Sequence, residues 1–222
     1  MRSKHLIPLA ITGLVLAAAC AGDRTTGPKL GPGRGLLAVR LTDAPLAFDS
    51  IAAVNVFVVR VDARRAKVDS GHVDDDLDDV HFDEGWHSPK DSLRWVTIAT
   101  PDSAFNLLNL RDGLSALLGA SAVDTGHFRA VRLVIDPSKS SIVLKDGTVL
   151  SDSSQPPIEF EKKGRHGLFV ELADSGEVTE GETTTLTLDL KLNRSLSLRG
   201  RTIHDGFLFR PVVAGHCEHH HN

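Results

Sequence analysis

Short stretches in which apolar and polar residues alternate run through most of the chain. Such alternation predicts strands that are buried on one face, because successive side chains of a strand point to opposite sides. The predicted strands cover residues 36–42, 52–61, 94–99, 128–135, 142–150, 158–161, 167–172, 183–192 and 206–213. Within 142–150, the pair Asp146-Gly147 separates two apolar segments, which predicts a hairpin with a tight turn.

The alternation also predicts which side chains share a face. One predicted face carries Val54, Val56, Val58 and Arg60, a second carries Phe128, Ala130, Arg132 and Val134, and a third carries Leu186, Leu188, Leu190 and Leu192. Trp95, in the strand 94–99, is expected to lie in the core.

One segment has a different period. Leucines at 107, 110, 114, 117 and 118 recur at helical spacing, and Gly119 is typical of a helix C-terminus. We therefore predict one helix over 106–118. A single helix among about ten short strands indicates a mainly β fold, a β-sandwich with one crossover helix.

The N-terminus has the pattern of a lipoprotein export signal. Arg2 and Lys4 precede an apolar run over 6–16 that is too short to span a bilayer, and three alanines precede Cys20. We predict a signal peptide over 1–19 and a membrane anchor through lipid on Cys20. A plain secretory signal and an uncleaved anchor are the alternatives. The absence of acidic residues directly after Cys20 favours the outer membrane or the cell surface of a bacterial envelope.

Composition constrains the chain after the signal. Residues 20–34 are rich in Gly and Pro, which predicts a flexible tether. Residues 35–214 suit a single domain. The net charge of −4 becomes about −6 once the signal is removed. An acidic chain argues against nucleic acid as a partner, and against a polybasic membrane patch. Since Cys20 and Cys217 are the only cysteines, acylation of Cys20 precludes an intrachain disulfide.

Several segments together resemble a known family. Residues 35–45 contain the box Thr42-Asp43-Ala44-Pro45, and they are followed by a Val-rich strand, a tryptophan strand and the sequence Gly126-His127-Phe128 before an Arg-Leu strand. This order resembles domain-of-unknown-function family 4382 of bacterial and archaeal surface proteins, over residues 35–213. The resemblance implies a sandwich of the immunoglobulin or transthyretin type and brings no catalytic residues. Phe128 stands where the family has Tyr.

Residues 69–87 form an acidic insertion. Eight carboxylates and no Lys or Arg lie between 69 and 84, with histidines interleaved. Carboxylates suit Ca²⁺, and added imidazoles suit a transition metal. The candidate ligands are Asp74, Asp75, Asp76, Asp78, Asp79 and His81. The favoured interpretation is a solvated acidic loop, because charge runs are usually solvated.

The C-terminal segment 215–222 is rich in histidine. His216, Cys217, His219, His220 and His221 are ligand types suited to Zn²⁺, Cu or Ni. We expect this segment to be a flexible tail that binds metal ions opportunistically. A partial purification tag and a crosslink between two copies through Cys217 are alternatives.

Asp43 admits two interpretations. It ends the first predicted strand just before Ala44-Pro45, where an Asx-type turn explains it. The alternative is Ca²⁺ coordination together with loop carbonyls.

No catalytic motif is present: the sequence contains no Gly-x-Ser-x-Gly, no His-Glu-x-x-His and no phosphate-cradling loop. Trp86, in the acidic insertion, either stacks on a sugar or pins the loop. We predict a non-enzymatic surface lipoprotein that binds or adheres to envelope glycan or protein. The alternative is an extracytoplasmic metal-binding protein. An unrecognised hydrolase is a third hypothesis, without a supporting motif.

Overall fold

The structure is a computed structural model that describes residues 30–43, 48–66, 68–69, 72–73, 94–161 and 167–219. The predicted signal peptide, Cys20, the candidate ligands Asp74 to His81, Trp86, His220 and His221 lie outside these residues. The strands are β1 (Arg34–Asp43), β2 (Ile51–Arg65), β3 (Val68–Asp69), β4 (His72–Val73), β5 (Trp95–Ala99), β6 (Ser103–Asn106), β7 (Ala116–Asp124), β8 (Gly126–Ile135), β9 (Ser141–Leu144), β10 (Val149–Leu150), β11 (Ile158–Phe160), β12 (Leu168–Val178), β13 (Thr183–Leu190), β14 (Leu196–Leu198), β15 (Phe207–Phe209) and β16 (Val213–His219). A short helix, α1 (Leu192–Ser195), comes directly after β13.

A large mixed sheet carries most of these strands. Its order is β10-β9-β2-β8-β12-β16-β13-β1-β7, and β5 and β6 both pair with β2. Neighbours are mainly antiparallel, but β1 runs parallel to β13 and β12 runs parallel to β16. A second sheet has the order β11-β15-β14, and β3 pairs with β4. The predicted mainly β class is therefore confirmed.

The two larger sheets share one hydrophobic core. Val56 and Ile142 of the large sheet and Phe209 of the small sheet line the same small gap between the sheets. The leucine face predicted for the strand near residue 190 lies in this core, because Leu186, Leu188 and Leu190 are fully buried. The core therefore holds the chain together without a disulfide among the described residues.

The predicted helix over 106–118 is wrong. A 3-10 helix spans only Leu107–Leu110, and β7 begins at Ala116. Asp112 and Gly113 have positive φ, so they form a turn that ends the helical segment. Leu114 and Leu117 are exposed, so the leucines do not form one buried stripe. Gly119 lies inside β7 and is not a helix terminus.

A β-bulge changes the face predicted for Arg60. The register between β2 and β8 shifts between Val58 and Arg60. An extra residue in one strand reverses the side to which later side chains point. Val58 is buried in the core, whereas Arg60 lies on the outer face with nearly half of its side chain exposed.

The large sheet curls until β5 approaches β7. Ala99 of β5 lies against Gly119 of β7, and a Cβ placed on Gly119 would be 2.3 Å from the Cβ of Ala99. No ladder of backbone hydrogen bonds joins β5 to β7 in the described part of the chain. We call this contact the β5–β7 seam. Glycine is required here because two strands of the curled sheet meet without space for a second side chain.

The hairpin prediction is confirmed: β9 pairs with β10, and Gly147 has a φ of 88° in the turn. Among the described residues, no helix is long and apolar enough to cross a membrane.

Candidate functional site

Four polar or aromatic side chains form a row across the outer face of the large sheet. Thr97 of β5 and Arg132 of β8 are the register partners of Asp62 on β2, and Phe169 of β12 is the partner of Arg132. Each of them alternates with side chains that pack in or against the core, such as Val61 and Ala63 on either side of Asp62. The row therefore lies on the side of the sheet opposite the core.

Asp62 is the centre of this row. Its Oδ2 accepts hydrogen bonds from Arg60 Nε at 3.0 Å and from Arg132 Nη2 at 2.8 Å, and its Oδ1 accepts one from Thr97 Oγ1 at 2.8 Å. The carboxylate is almost completely buried, although it lies on the outer face. Two guanidinium groups and a hydroxyl compensate for its desolvation.

Trp95 covers this ionic cluster. The Arg132 guanidinium carbon lies 4.7 Å from the centroid of the Trp95 ring, within the range of a cation–π contact. Phe169 meets the same ring edge to face, with 6.0 Å between centroids. The expectation that Trp95 lies in the core is wrong: its side chain is half-buried on the outer face. We call Arg60, Asp62, Trp95, Arg132 and Phe169 the Trp95 cluster.

Both oxygens of Asp62 are occupied by hydrogen bonds, so the carboxylate is poorly suited to be a metal ligand or a general base. Arg60 is the charged member that extends furthest into solvent, with 43 % of its side chain exposed against 19 % for Arg132. Among the described residues, the guanidinium groups of Arg60 and Arg132 both donate to the carboxylate of Asp62, and the two Nη atoms of Arg60 have no partner there. The arrangement can contact a ligand through an aromatic ring and a cation.

No sequence pattern predicted that the members of the Trp95 cluster lie together. The available signal was the alternation of Arg60, Asp62 and Arg64 with apolar residues in a strand that is otherwise rich in valine. That signal shows a polar face. It does not show that Arg132, 70 residues away, supplies the partner of Asp62.

The histidine-rich segment is not a separate tail at its start. β16 extends to His219 and pairs along β13, with Leu188 opposite Gly215 and Leu186 opposite Cys217. The boundary predicted at residue 214 therefore falls inside a strand. Gly215 is buried against Leu172, and a Cβ on it would be 2.8 Å from a methyl carbon of that leucine.

Strand geometry separates two of the predicted metal ligands, His216 and Cys217. Cys217 packs against the core, whereas His216 and Glu218 point to the outer face, where His216 Nε2 lies 3.4 Å from Glu218 Oε1. His216 and Cys217 therefore do not converge on one ion. No group of three or more His, Cys, Asp or Glu side chains that could hold a metal occurs within the described residues.

Burial also changes the chemistry of Cys217. Desolvation raises the pKa of its thiol, and the charges of Asp174 and Glu218 raise it further. The thiol is therefore mainly protonated at neutral pH, which weakens it as a metal ligand and as a nucleophile.

Asp43 makes a long-range contact. Its Oδ1 accepts a hydrogen bond from the backbone N–H of Leu192, at the start of α1. Residues 44–47, which an Asx-type turn would involve, lie outside the described residues, so the local turn stays a prediction. The contact gives Asp43 a structural role in joining β1 to α1.

The chain matches a known family of domains. A family model described as "Domain of unknown function (DUF4382)" matches residues 34–211. No curated protein and no solved structure matches the chain. The matched range begins with β1 and includes every member of the Trp95 cluster.

Proposed function

The chain belongs to the DUF4382 family of domains of unknown function, and from that premise we propose that it is a non-enzymatic binding module held in the bacterial cell envelope by lipid on Cys20. The ligand-contact surface is the outer face of the large sheet around the Trp95 cluster. Envelope glycan or protein supplies the ligand.

The proposed anchor is supported by the order of segments along the chain. The apolar run and three alanines precede Cys20, and a stretch rich in Gly and Pro separates Cys20 from β1. Such a tether allows the domain to reach ligands away from the membrane. Palmitate labelling tests the anchor: wild type is expected to be labelled and Cys20→Ala is not. Equal labelling of the two proteins contradicts it.

The partly exposed aromatic and cationic surface around Trp95 and Arg60 is the observation that supports binding. Partly exposed Trp and Arg side chains are enriched at recognition surfaces because they combine a large contact area with directional donors. Trp95 and Arg60 have this character and lie on the face that the core does not use.

Sedimentation with isolated envelope material tests this function. The unlipidated Cys20→Ala protein is mixed with envelope preparations and centrifuged. We expect Cys20→Ala to sediment with the envelope and the Cys20→Ala/Trp95→Ala double variant to do so much less. Circular dichroism controls for folding. Equal sedimentation of two folded proteins would contradict a role for this face.

The fold type is part of the proposal. Two sheets that share one core support a sandwich of the immunoglobulin or transthyretin type. The parallel pairs β1–β13 and β12–β16 depart from an all-antiparallel order. A crystal structure, compared with sandwich domains of known topology, tests this point.

Metal binding by the acidic insertion is the second candidate function. The concentration of eight carboxylates without a basic residue favours cation binding at residues 69–84. Calorimetry with Ca²⁺, Zn²⁺ and Cu²⁺ compares wild type with a deletion of 69–84. A heat of binding that the deletion abolishes supports the metal function, and identical titrations remove it.

A further inference from the structure

The Trp95 ring is placed as a platform. Arg132 lies 4.7 Å from the ring centroid, and Phe169 supports the ring edge to face at an interplanar angle of 79°. These contacts fix the orientation of the indole above the sheet. In the part of the chain that the structure describes, no acceptor pairs with Trp95 Nε1, and this nitrogen is not among the buried unsatisfied atoms. The indole N–H is therefore available as a donor to a ligand.

The planar guanidinium of Arg60 is held on one side by a hydrogen bond to Asp62. Its Nε donates to Asp62 Oδ2, and among the described residues its two Nη atoms have no hydrogen-bond partner. Asp62 thus orients the guanidinium, and 43 % of the Arg60 side chain is exposed to solvent. A held guanidinium loses less side-chain entropy when it binds a carboxylate through two parallel hydrogen bonds.

A short path of contacts joins the Trp95 ring to the Arg60 guanidinium. Asp62 Oδ2 lies 3.0 Å from Arg60 Nε and 2.8 Å from Arg132 Nη2, and Arg132 lies against Trp95. The ring and the guanidinium therefore belong to one surface. A ligand that contacts both needs a flat face with C–H groups for the indole and a carboxylate for Arg60.

We propose that the Trp95 cluster is a subsite for a carboxylate-bearing saccharide, a uronic acid unit of an acidic glycan. The C–H face of the sugar ring stacks on Trp95, the carboxylate binds the Nη atoms of Arg60, and a ring hydroxyl accepts from Trp95 Nε1. This inference rests on the proposed binding function and specifies its ligand. The exposed guanidinium of Arg60 favours an acidic glycan over a neutral one.

Affinity electrophoresis of the Cys20→Ala protein tests the inference, with polygalacturonate or alginate in the gel as acidic probes and dextran as the neutral probe. We expect retardation by the acidic polymers, none by dextran, and weaker retardation as salt rises. Further substitutions are made in this unlipidated chain. Arg60→Gln is expected to weaken binding about tenfold, because it removes the charge and the planar guanidinium. Arg60→Lys is expected to bind more weakly than wild type and more strongly than Arg60→Gln, since it keeps the charge but loses the planar guanidinium.

Two further variants complete the design. Trp95→Phe retains an aromatic ring beside Phe169 but reduces the platform and removes the N–H, so it is expected to weaken binding while the protein stays folded. Arg199→Gln is the matched control. Arg199 is exposed to a similar degree and also pairs with a carboxylate, that of Glu159, outside the Trp95 cluster. It is expected to bind as wild type does.

The outcomes separate this inference from the proposed function. Sedimentation with envelope material that depends on Trp95, combined with no retardation by either acidic polymer, overturns the saccharide assignment and leaves the binding function standing. If Arg60→Gln and Arg199→Gln reduce the retardation equally, the polymer binds through non-specific charge attraction. That result also overturns the saccharide assignment and leaves the binding function standing. If, in addition, Cys20→Ala and Cys20→Ala/Trp95→Ala sediment equally with the envelope, both proposals fail.

Discussion

Asp43 Oδ1 lies 3.0 Å from the backbone nitrogen of Leu192, which is 149 residues later in the chain. Asp43 is the last residue of β1, and its register partner on the parallel strand β13 is Leu190. The carboxylate therefore receives the N–H of the residue that begins α1, directly after β13 ends. Because both groups are buried, this bond fixes how the two strands leave the sheet.

We expect Asp43→Ala to lower the free energy of unfolding by about 2 kcal/mol, the range for a hydrogen bond to a charged group. Asp43→Asn keeps an oxygen acceptor and is expected to lose less. Urea denaturation measures both. Asp152→Ala, which removes an exposed carboxylate, is the control and should leave the midpoint unchanged. If Asp43→Ala behaves like that control, the bond to Leu192 does not stabilise the fold.

The β5–β7 seam makes a second prediction. Gly119→Ala places a Cβ 2.3 Å from that of Ala99, so we expect a loss of about 1–3 kcal/mol from overpacking. Ala99→Gly removes the opposing Cβ. The double variant Gly119→Ala/Ala99→Gly should therefore recover part of the loss, and a double-mutant cycle measures this coupling.

Gly31→Ala is the matched control for the seam, because a Cβ at Gly31 meets no atom within 4 Å. It is expected to leave stability nearly unchanged. Strictly additive effects at Gly119 and Ala99 would show that the two strands are not in contact.

Arg132 gives a third prediction, on stability. Arg132→Leu leaves the buried Asp62 carboxylate with fewer donors, and we expect a loss of about 3 kcal/mol, as for breaking a buried ion pair. Arg199→Leu removes an exposed pair and should cost roughly 0.5 kcal/mol. Thermal unfolding by circular dichroism compares them. Equal losses would mean that Asp62 is satisfied in another way.

Fluorescence provides a second measurement on the same variant. Arg132 lies against the indole of Trp95, so Arg132→Leu is expected to change the tryptophan emission of the folded protein. An unchanged spectrum, measured with the folded state confirmed, contradicts the stacked geometry.

The environment of Asp205 leads to a prediction about stability at acidic pH. Hydrogen bonds from the Thr202 backbone and side chain and from the Arg201 backbone lower the pKa of Asp205 below its ordinary value of 3.8. A carboxylate with a lowered folded pKa contributes stability above its unfolded pKa, and that contribution is lost as pH falls through the folded pKa. We therefore expect a loss of stability below about pH 4 that Asp205→Asn reduces.

Denaturation midpoints between about pH 2 and pH 6 test this expectation. Asp152→Asn serves as the comparison because it removes one exposed carboxylate from a different turn. A pH profile for Asp205→Asn that parallels wild type over the whole range would contradict the prediction.

Local patterns predicted most of the strands because a strand with one buried face shows that face in its alternating residues. The 142–150 hairpin and the leucine face of β13 are consequences of this rule. The predicted helix over 106–118 fails for a local reason: Arg111-Asp112-Gly113 forms a turn, and five leucines at helical spacing do not compensate for it. The face predicted for Arg60 is wrong because a bulge, which depends on the partner strand, shifts the alternation by one residue.

The amino-acid pattern alone predicts that the chain is mainly β, that it resembles the DUF4382 family, and which residue types form its acidic and histidine-rich segments, since these depend on short-range order and composition. Contacts between distant residues, in contrast, become visible only in the folded chain. Strand pairing brings Arg132 to Asp62 and places Cys217 and His216 on opposite faces. Asp43 meets Leu192 just beyond the ends of two paired strands, and the curl of the large sheet brings Gly119 to Ala99. The physical reason is that a curled sheet juxtaposes residues by register, and register depends on partners that no single segment specifies.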